Sequence, residues 1–280
     1  MKSLLKKYGT VGLLGWQDSL VYRFNALVWV LYAVLPSMTA MLVWLATYES
    51  GSDASGSGTS STRTVGGRTL PEMLTYYLLV TALSVAITPN PEWDIAQQIR
   101  DGKITPFIVR PIGYYGYRVA QETSYQIVKT AMMLPALALL VWGFRDHLQM
   151  PSPNAAQLGL FALASLLAYG LLTQIKFLIG ISAFWIAEPG GFMEIWNLLM
   201  GVLGGRLLPL SLLPSGLRFL SVALPFASLY DFPIRLLSGQ ARGAEVALGF
   251  AVQGAWLVVL SWCVRMAWRR GLLAYEAYGG

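Results

Sequence analysis

TPNPEWDIAQQIRDGKITPFIVRPIGYYGYR, residues Thr88 to Arg118, is a polar stretch between two apolar ones of membrane-crossing length. It carries four basic and three acidic residues. A compact polar unit in that position is held at a membrane surface. Asn90 is placed to cap a helix, Pro91 suits the first helical position, and Glu92 and Asp94 put negative charge on the first turn. Ile95 and Ile99 share one face, and Gly102 stops the helix. Thr105-Pro106 then opens a second short turn, which Pro111 closes. Such a helix is either a plain amphipathic element lying in the interface or a handle offered to a soluble partner.

Composition places the chain in the membrane class. Hydrophobic residues make up 55% and charged residues 12%, about half the usual charged share of a soluble domain. Ten Trp and fourteen Tyr suit aromatic belts at the bilayer boundary. The net charge of +6 reads as membrane orientation, not as nucleic-acid binding. One cysteine, Cys263, excludes an internal disulfide, and one histidine, His147, leaves no His/Cys metal cluster. The first twenty residues are basic but lack a sustained apolar core and a small-residue cleavage site, so no cleaved signal peptide is expected. Residues 1–22 read instead as an interfacial helix, with Lys2, Lys6 and Lys7 near anionic headgroups.

A crossing helix needs about 20 mostly apolar residues. Six stretches qualify, at about 25–48, 71–89, 119–144, 157–183, 194–213 and 245–268. The expectation is a single all-α integral membrane domain over 1–280, with six transmembrane helices. Eleven Lys and Arg fall on the side of the N-terminus: Lys2, Lys6, Lys7, Arg23, Arg100, Lys103, Arg110, Arg118, Arg265, Arg269 and Arg270. Six fall on the other side. That asymmetry puts both termini and the 88–118 segment in the cytoplasm.

The two long outer segments differ in kind. Glu49 to Arg68, with SGSDASGSGTSST, reads as a flexible loop. Pro214 to Gly243 mixes apolar runs with Pro214, Gly216, Pro225, Pro233 and Gly239. It is too broken for a span and too apolar for a free loop, so short re-entrant helices are expected.

Catalytic signatures are missing. There is no G-x-x-x-x-G-K-[ST], G-x-S-x-G, H-E-x-x-H or C-x-x-C. The intramembrane ionisable residues are Glu122, Lys129, Lys176 and Arg206. Charge at such depth is costly, which makes each a candidate site. Lys129 and Arg206 are candidates to attract an anionic cargo. The structural alternatives are a Glu122–Lys129 pair, seven residues apart on one helix, and snorkelling of Lys176 from the inner end of its span. Matching broken helices and a midplane carboxylate pair, as an ion-driven carrier requires, are not seen, so energy supplied by another subunit fits better.

Several stretches resemble a known family. They are Tyr22-Arg23-Phe24-Asn25 before the first span and Leu74-Thr75-Tyr76-Tyr77-Leu78-Leu79 in the second. Ile99-Arg100-Asp101-Gly102-Lys103 through Arg110-Pro111 follows, then Gly204-Gly205-Arg206-Leu207-Leu208-Pro209-Leu210 with Pro214, Leu224-Pro225-Phe226, Pro233 and Gly239. Their order and spacing resemble the ABC-2 type permeases of bacterial ABC exporters, in the six-helix branch, and Ile99 to Pro111 is similar to its "I-R-x-G … L-x-[KR]-P" segment.

The resemblance implies the membrane half of an exporter in the bacterial inner membrane, with no catalysis of its own. Two ATPase subunits would bind ATP and Mg, and a second permease, identical or different, would complete the pathway. Asn90 to Gly102 would be the coupling helix. Trp93, Ile95 and Ile99 are then expected as apolar anchors in the ATPase cleft, with Glu92, Asp94 and Arg100 as a charged rim and Gly102 as the stop. Residues 214–243 would close the exit. The alternatives are a membrane anchor that recruits a soluble partner without transport, and an intramembrane lipid-modifying enzyme, against which the lack of clustered acids and histidines speaks.

Overall fold

A computed structural model describes residues 23–53, 64–109 and 113–278. The expected interfacial helix at 1–22, most of the Ser/Gly-rich loop, and Arg110 with Pro111 lie outside the described residues. Among those described, the regular structure is helical apart from one bridge between Val65 and Arg68.

Helix α1, Arg23–Asp53, is followed after the undescribed stretch by a tight turn in which Gly66 and Gly67 take φ of 60° and 77°. The Tyr48 hydroxyl closes that turn, donating to the Arg68 carbonyl (2.7 Å) and accepting from the Val65 N–H (3.2 Å). Helix α2, Leu70–Ile87, opens with Pro71 in its first turn, and Glu72 Oε2 accepts the Thr69 N–H at 2.8 Å. Two short helices follow, α3 at Glu92–Arg100 and α4 at Thr105–Val109. Helix α5 runs Tyr114–Phe144 and α6 runs Ala155–Ile181, the latter started by reciprocal bonds between Asn154 and Gln157. Then come α7 (Gly190–Leu203), α8 (Ser215–Ala223), α9 (Asp231–Leu237) and α10 (Ala244–Tyr278).

Four helical stretches are long and apolar enough to cross a membrane: 70–100, 114–147, 155–184 and 244–275. They are buried very unequally. The apolar window of the first is 67% buried and that of the last only 11%. Helix α2 is thus the hub, with Met73, Leu74, Tyr76, Tyr77, Val80 and Leu83 in the main core. Helix α10 leaves Leu248, Val258 and Trp262 uncovered, as lipid-facing side chains are and as a water-facing helix would not tolerate in such number. Helices α6 and α10 pack side by side, α1 and α5 flank α2, and α3 and α9 both rest on α6.

One expected helix is shorter than the apolar run predicted. The stretch 194–213 gives α7, which ends at Leu203, 14 residues in all. The cause is local. Gly204 ends the helix, Gly205 takes φ of 84°, the Leu207 N–H turns back to the Gly201 carbonyl, and Pro209 prevents resumption. Arg206 therefore stands exposed on a turn, not inside a helix.

Residues 224–236 fold back among the long helices. Phe226, Leu229, Tyr230, Phe232, Ile234 and Leu236 are all buried. The Gln253 amide, wholly buried on α10, donates to the Ser228 carbonyl (2.9 Å) and the Ala164 carbonyl of α6 (3.1 Å). A carbonyl of irregular backbone is thereby satisfied by a side chain from a neighbouring helix.

Candidate functional site

Helix α3 has two unlike faces. Glu92, Ile95, Ala96 and Ile99 recur at helical spacing and are buried, Ile95 and Ala96 completely. Trp93, Asp94, Gln97 and Arg100 are exposed, Trp93 by 48%. The helix begins without the Asn90 cap expected from sequence. Pro91 occupies the cap position and no side chain bonds the first turn. The Asn90 backbone N–H instead supports the Glu122 carboxylate of α5. Its end is as expected: Gly102, at φ 72°, reverses the chain, and the N–H groups of Gly102 and Lys103 close on the Ile99 and Gln98 carbonyls.

The inward face corrects the assigned roles. Ile95 and Ile99 do not project as anchors for a partner. They pack with Phe177 and Ile181 of α6, Phe184 and Val264. Nor is Glu92 a rim charge. Its carboxylate meets the Lys176 ammonium at 2.5 Å, both groups almost wholly buried. Lys176 accordingly does not snorkel. It is consumed by Glu92, with Asn197 of α7 a further 3.4 Å contact. Gly180 permits the approach: a Cβ there would stand 2.8 Å from Ile95 Cβ and 3.2 Å from the Glu92 Cα.

A second fastening runs to α5. Arg118, only 2% exposed, reaches Asp94 of α3 (3.1 Å) and Glu122 one turn along its own helix (3.2 Å), with Gln121 at 2.8 Å. The Glu122–Lys129 pair is not formed. Seven residues separate them by about 10 Å along the axis, and Arg118 lies closer. Lys129 Nζ donates instead to the Thr88 carbonyl at 2.8 Å. The Thr88 hydroxyl shares a hydrogen bond with the buried Tyr230 hydroxyl (2.8 Å), and Arg206 lies beside that tyrosine. Thr88, where α2 gives way to the α3 segment, is therefore held from α5 and from the folded-back 224–236 stretch at once.

The outward face carries its own contacts. Arg100 lies 3.3 Å from the Ala187 carbonyl and 3.4 Å from Glu188, and the Trp93 ring borders Gly190. Below it, Tyr114 stacks on Trp268 of α10 at 5.1 Å and donates to Gln98 at 2.9 Å. These exposed ion pairs add little energy. The buried pairs are different in kind: they are weak evidence for net stability but strongly penalise separation of the partners.

No group of three or more His, Cys, Asp or Glu that could hold a metal occurs among the described residues. A short amphipathic helix is clamped to two long apolar helices by charged and apolar contacts and leaves a face with Trp93, Asp94, Gln97 and Arg100 exposed. Sequence reasoning missed Arg118, Gln126, Tyr230 and Gln253. Arg118 and Glu122 at i and i+4 were a visible signal. For Gln126, which donates to the Val85 carbonyl, and for Gln253, the only signal was an amide in an apolar run.

Fold and site together define a multi-pass membrane component whose polar device lies between spans. The family described as ABC-2 family transporter protein matches residues 58–279, and the chain belongs to it. It is an ABC-2 type permease. Comparison with curated proteins and with solved structures found no match.

Proposed function

We propose that this permease is the membrane subunit of an exporter driven by separate ATPase subunits, and that α3 is its coupling helix. In this reading α1, α2, α5, α6 and α10 cross the inner membrane of a bacterium, the 14-residue α7 with the turn after it makes the sixth passage, both termini are cytoplasmic, and α8 and α9 form the outer re-entrant closure. Two ATPase subunits bind ATP and Mg, and a second permease, a copy or a different chain, completes the pathway. The observation that carries the proposal is the double fastening of α3, through Glu92–Lys176 to α6 and through Asp94–Arg118–Glu122 to α5. A push on α3 moves two spans, whereas an interfacial helix that merely floats on lipid needs no buried ion pair. The contact for the ATPase is then the outward face, with Trp93 as its apolar anchor and Asp94, Gln97 and Arg100 around it. Ile95, Ile99 and Glu92 act from inside, by keeping the helix seated, and Gly102 by ending it.

Lys129 is assigned a structural role, since its ammonium is spent on Thr88. Arg206, exposed on its turn, keeps the candidate role toward an anionic cargo.

Ile95→Pro removes a helical hydrogen bond and costs ~3 kcal/mol locally. The expected variant inserts in the membrane but loses both ATP-driven export and retention of the ATPase on purification. Trp93→Ala is expected to lose ATPase retention with unchanged thermal stability. Full export by both variants would move coupling to residues 187–193, which share Arg100 and Trp93 as neighbours.

A further inference from the structure

At the end of α2 away from Thr88 lies a half-open pocket of about 310 Å³. It is bounded by Arg68, Glu72 and Tyr76 around the start of α2, Gln149 of the α5–α6 loop, Gln157 of α6 and Gln240 after α9. Its lining is mostly polar. Helix α2 has 18 residues, about 27 Å, so the pocket sits one hydrocarbon thickness from the coupling segment, at headgroup depth on the opposite face.

Two opposite charges border the pocket without pairing to each other. Arg68 is half-buried, its guanidinium held 4.7 Å over the Tyr76 ring. Glu72 spends Oε2 on the Thr69 N–H. Among the described residues Asp231 also acts on Arg68; it is buried, its carboxyl is pushed up by burial, and Arg235 and Arg218 act on it too. Glu72 is exposed and Arg68 half-buried; an uncharged occupant such as a sugar would leave the half-buried Arg68 unmatched, and a simple anion would leave Glu72 facing like charge. A ligand with a phosphate and a primary ammonium on one short tether satisfies both, and the flanking glutamines supply neutral donors and acceptors.

We propose that this pocket binds a phosphoethanolamine-type zwitterion, with Arg68 on the phosphate and Glu72 on the ammonium. The inference goes beyond the coupling role of α3 and does not depend on it. The source is either the headgroup of a membrane lipid or a soluble phosphoethanolamine compound.

The test uses the whole permease, purified without any ATPase. Glycerophosphoethanolamine is titrated against detergent-solubilised protein and followed by thermal shift, with glycerophosphocholine as comparison. Retained lipid is measured by native mass spectrometry after reconstitution in phosphatidylethanolamine/phosphatidylglycerol or phosphatidylcholine/phosphatidylglycerol discs. Glycerophosphoethanolamine is expected to bind, and the choline compound, whose ammonium has no N–H to donate, to bind less well. Glu72→Gln preserves the bond to Thr69 and should weaken binding by about tenfold or more, the loss of one charge-assisted hydrogen bond. Arg68→Gln should do the same and Arg68→Lys should restore it. If Arg68→Gln does not fold, Glu72→Gln alone decides. Retained phosphatidylethanolamine identifies a lipid site, and soluble binding without lipid retention identifies a free solute. No binding of either, or equal binding by wild type and Glu72→Gln, overturns the proposal.

Discussion

Truncating Lys176 alone leaves the Glu92 carboxylate almost wholly buried without its ion-pair partner, and its Oε2 already lacks a hydrogen-bond partner. Breaking one side of a buried ion pair costs about 3–5 kcal/mol, while replacing both sides with neutral groups of similar size is close to neutral. Lys176→Met should therefore lower the thermal midpoint of the purified permease sharply, and the double variant Glu92→Gln with Lys176→Met should recover most of the loss. Equal damage from the single and double changes would show that the pair is solvated and that α3 is not held by it. The pattern that places Glu92 inward was present in the sequence. Glu92, Ile95 and Ile99 fall on one helical face, yet a carboxylate on a cytoplasmic helix is normally a solvated one. Only its partner, 84 residues on at Lys176, reverses that expectation, and no local spacing reports such a pair.

At the scale of the element, what was legible followed chemical punctuation. Pro71 and Glu72 mark the start of α2, Gly102 the end of α3, and Pro214, Pro225 and Gly239 the breaks between short outer helices. Hydropathy alone misled at α7, where an apolar run continued past a helix that Gly204 and Gly205 had already ended. The seat of α3 on α6 was not legible, because it depends on a missing side chain. Gly180 has no Cβ, and one would stand 2.8 Å from Ile95 Cβ. Gly180→Ala should force α3 outward by displacing Ile95 and the Glu92 backbone. The expected consequence is loss of ATP-dependent export and of ATPase retention, with the spans still inserted. A smaller neighbour offers room, so Gly180→Ala combined with Ile95→Ala should regain part of both. If Gly180→Ala exports at the wild-type rate, tight contact between α3 and α6 is dispensable for coupling.

At the scale of the molecule, the two ends of the bundle differ in chemistry. One end carries α3 and α4, the Arg118 and Lys176 ion pairs and the Tyr114–Trp268 stack. The other carries the Val65–Arg68 turn, the Arg145–His147 turn, α8 and the pocket beside Arg68. Lys and Arg favour the first end, which is the reason for assigning it to the cytoplasm. The structure supplies better reporter positions than the sequence, since Gln97 and Asp146 are both exposed and sit at opposite ends. Cys263 is changed to serine first, because it is a free, partly exposed thiol that would add a background signal. In that background Asp146→Cys should react with a membrane-impermeant maleimide in intact cells, and Gln97→Cys should react only after the cells are opened. The reverse pattern would invert the bundle. Helix α3 would then face away from any cytoplasmic ATPase, and the coupling proposal would fail, whereas the zwitterion pocket would survive on the inner leaflet, since its chemistry does not depend on which side it faces.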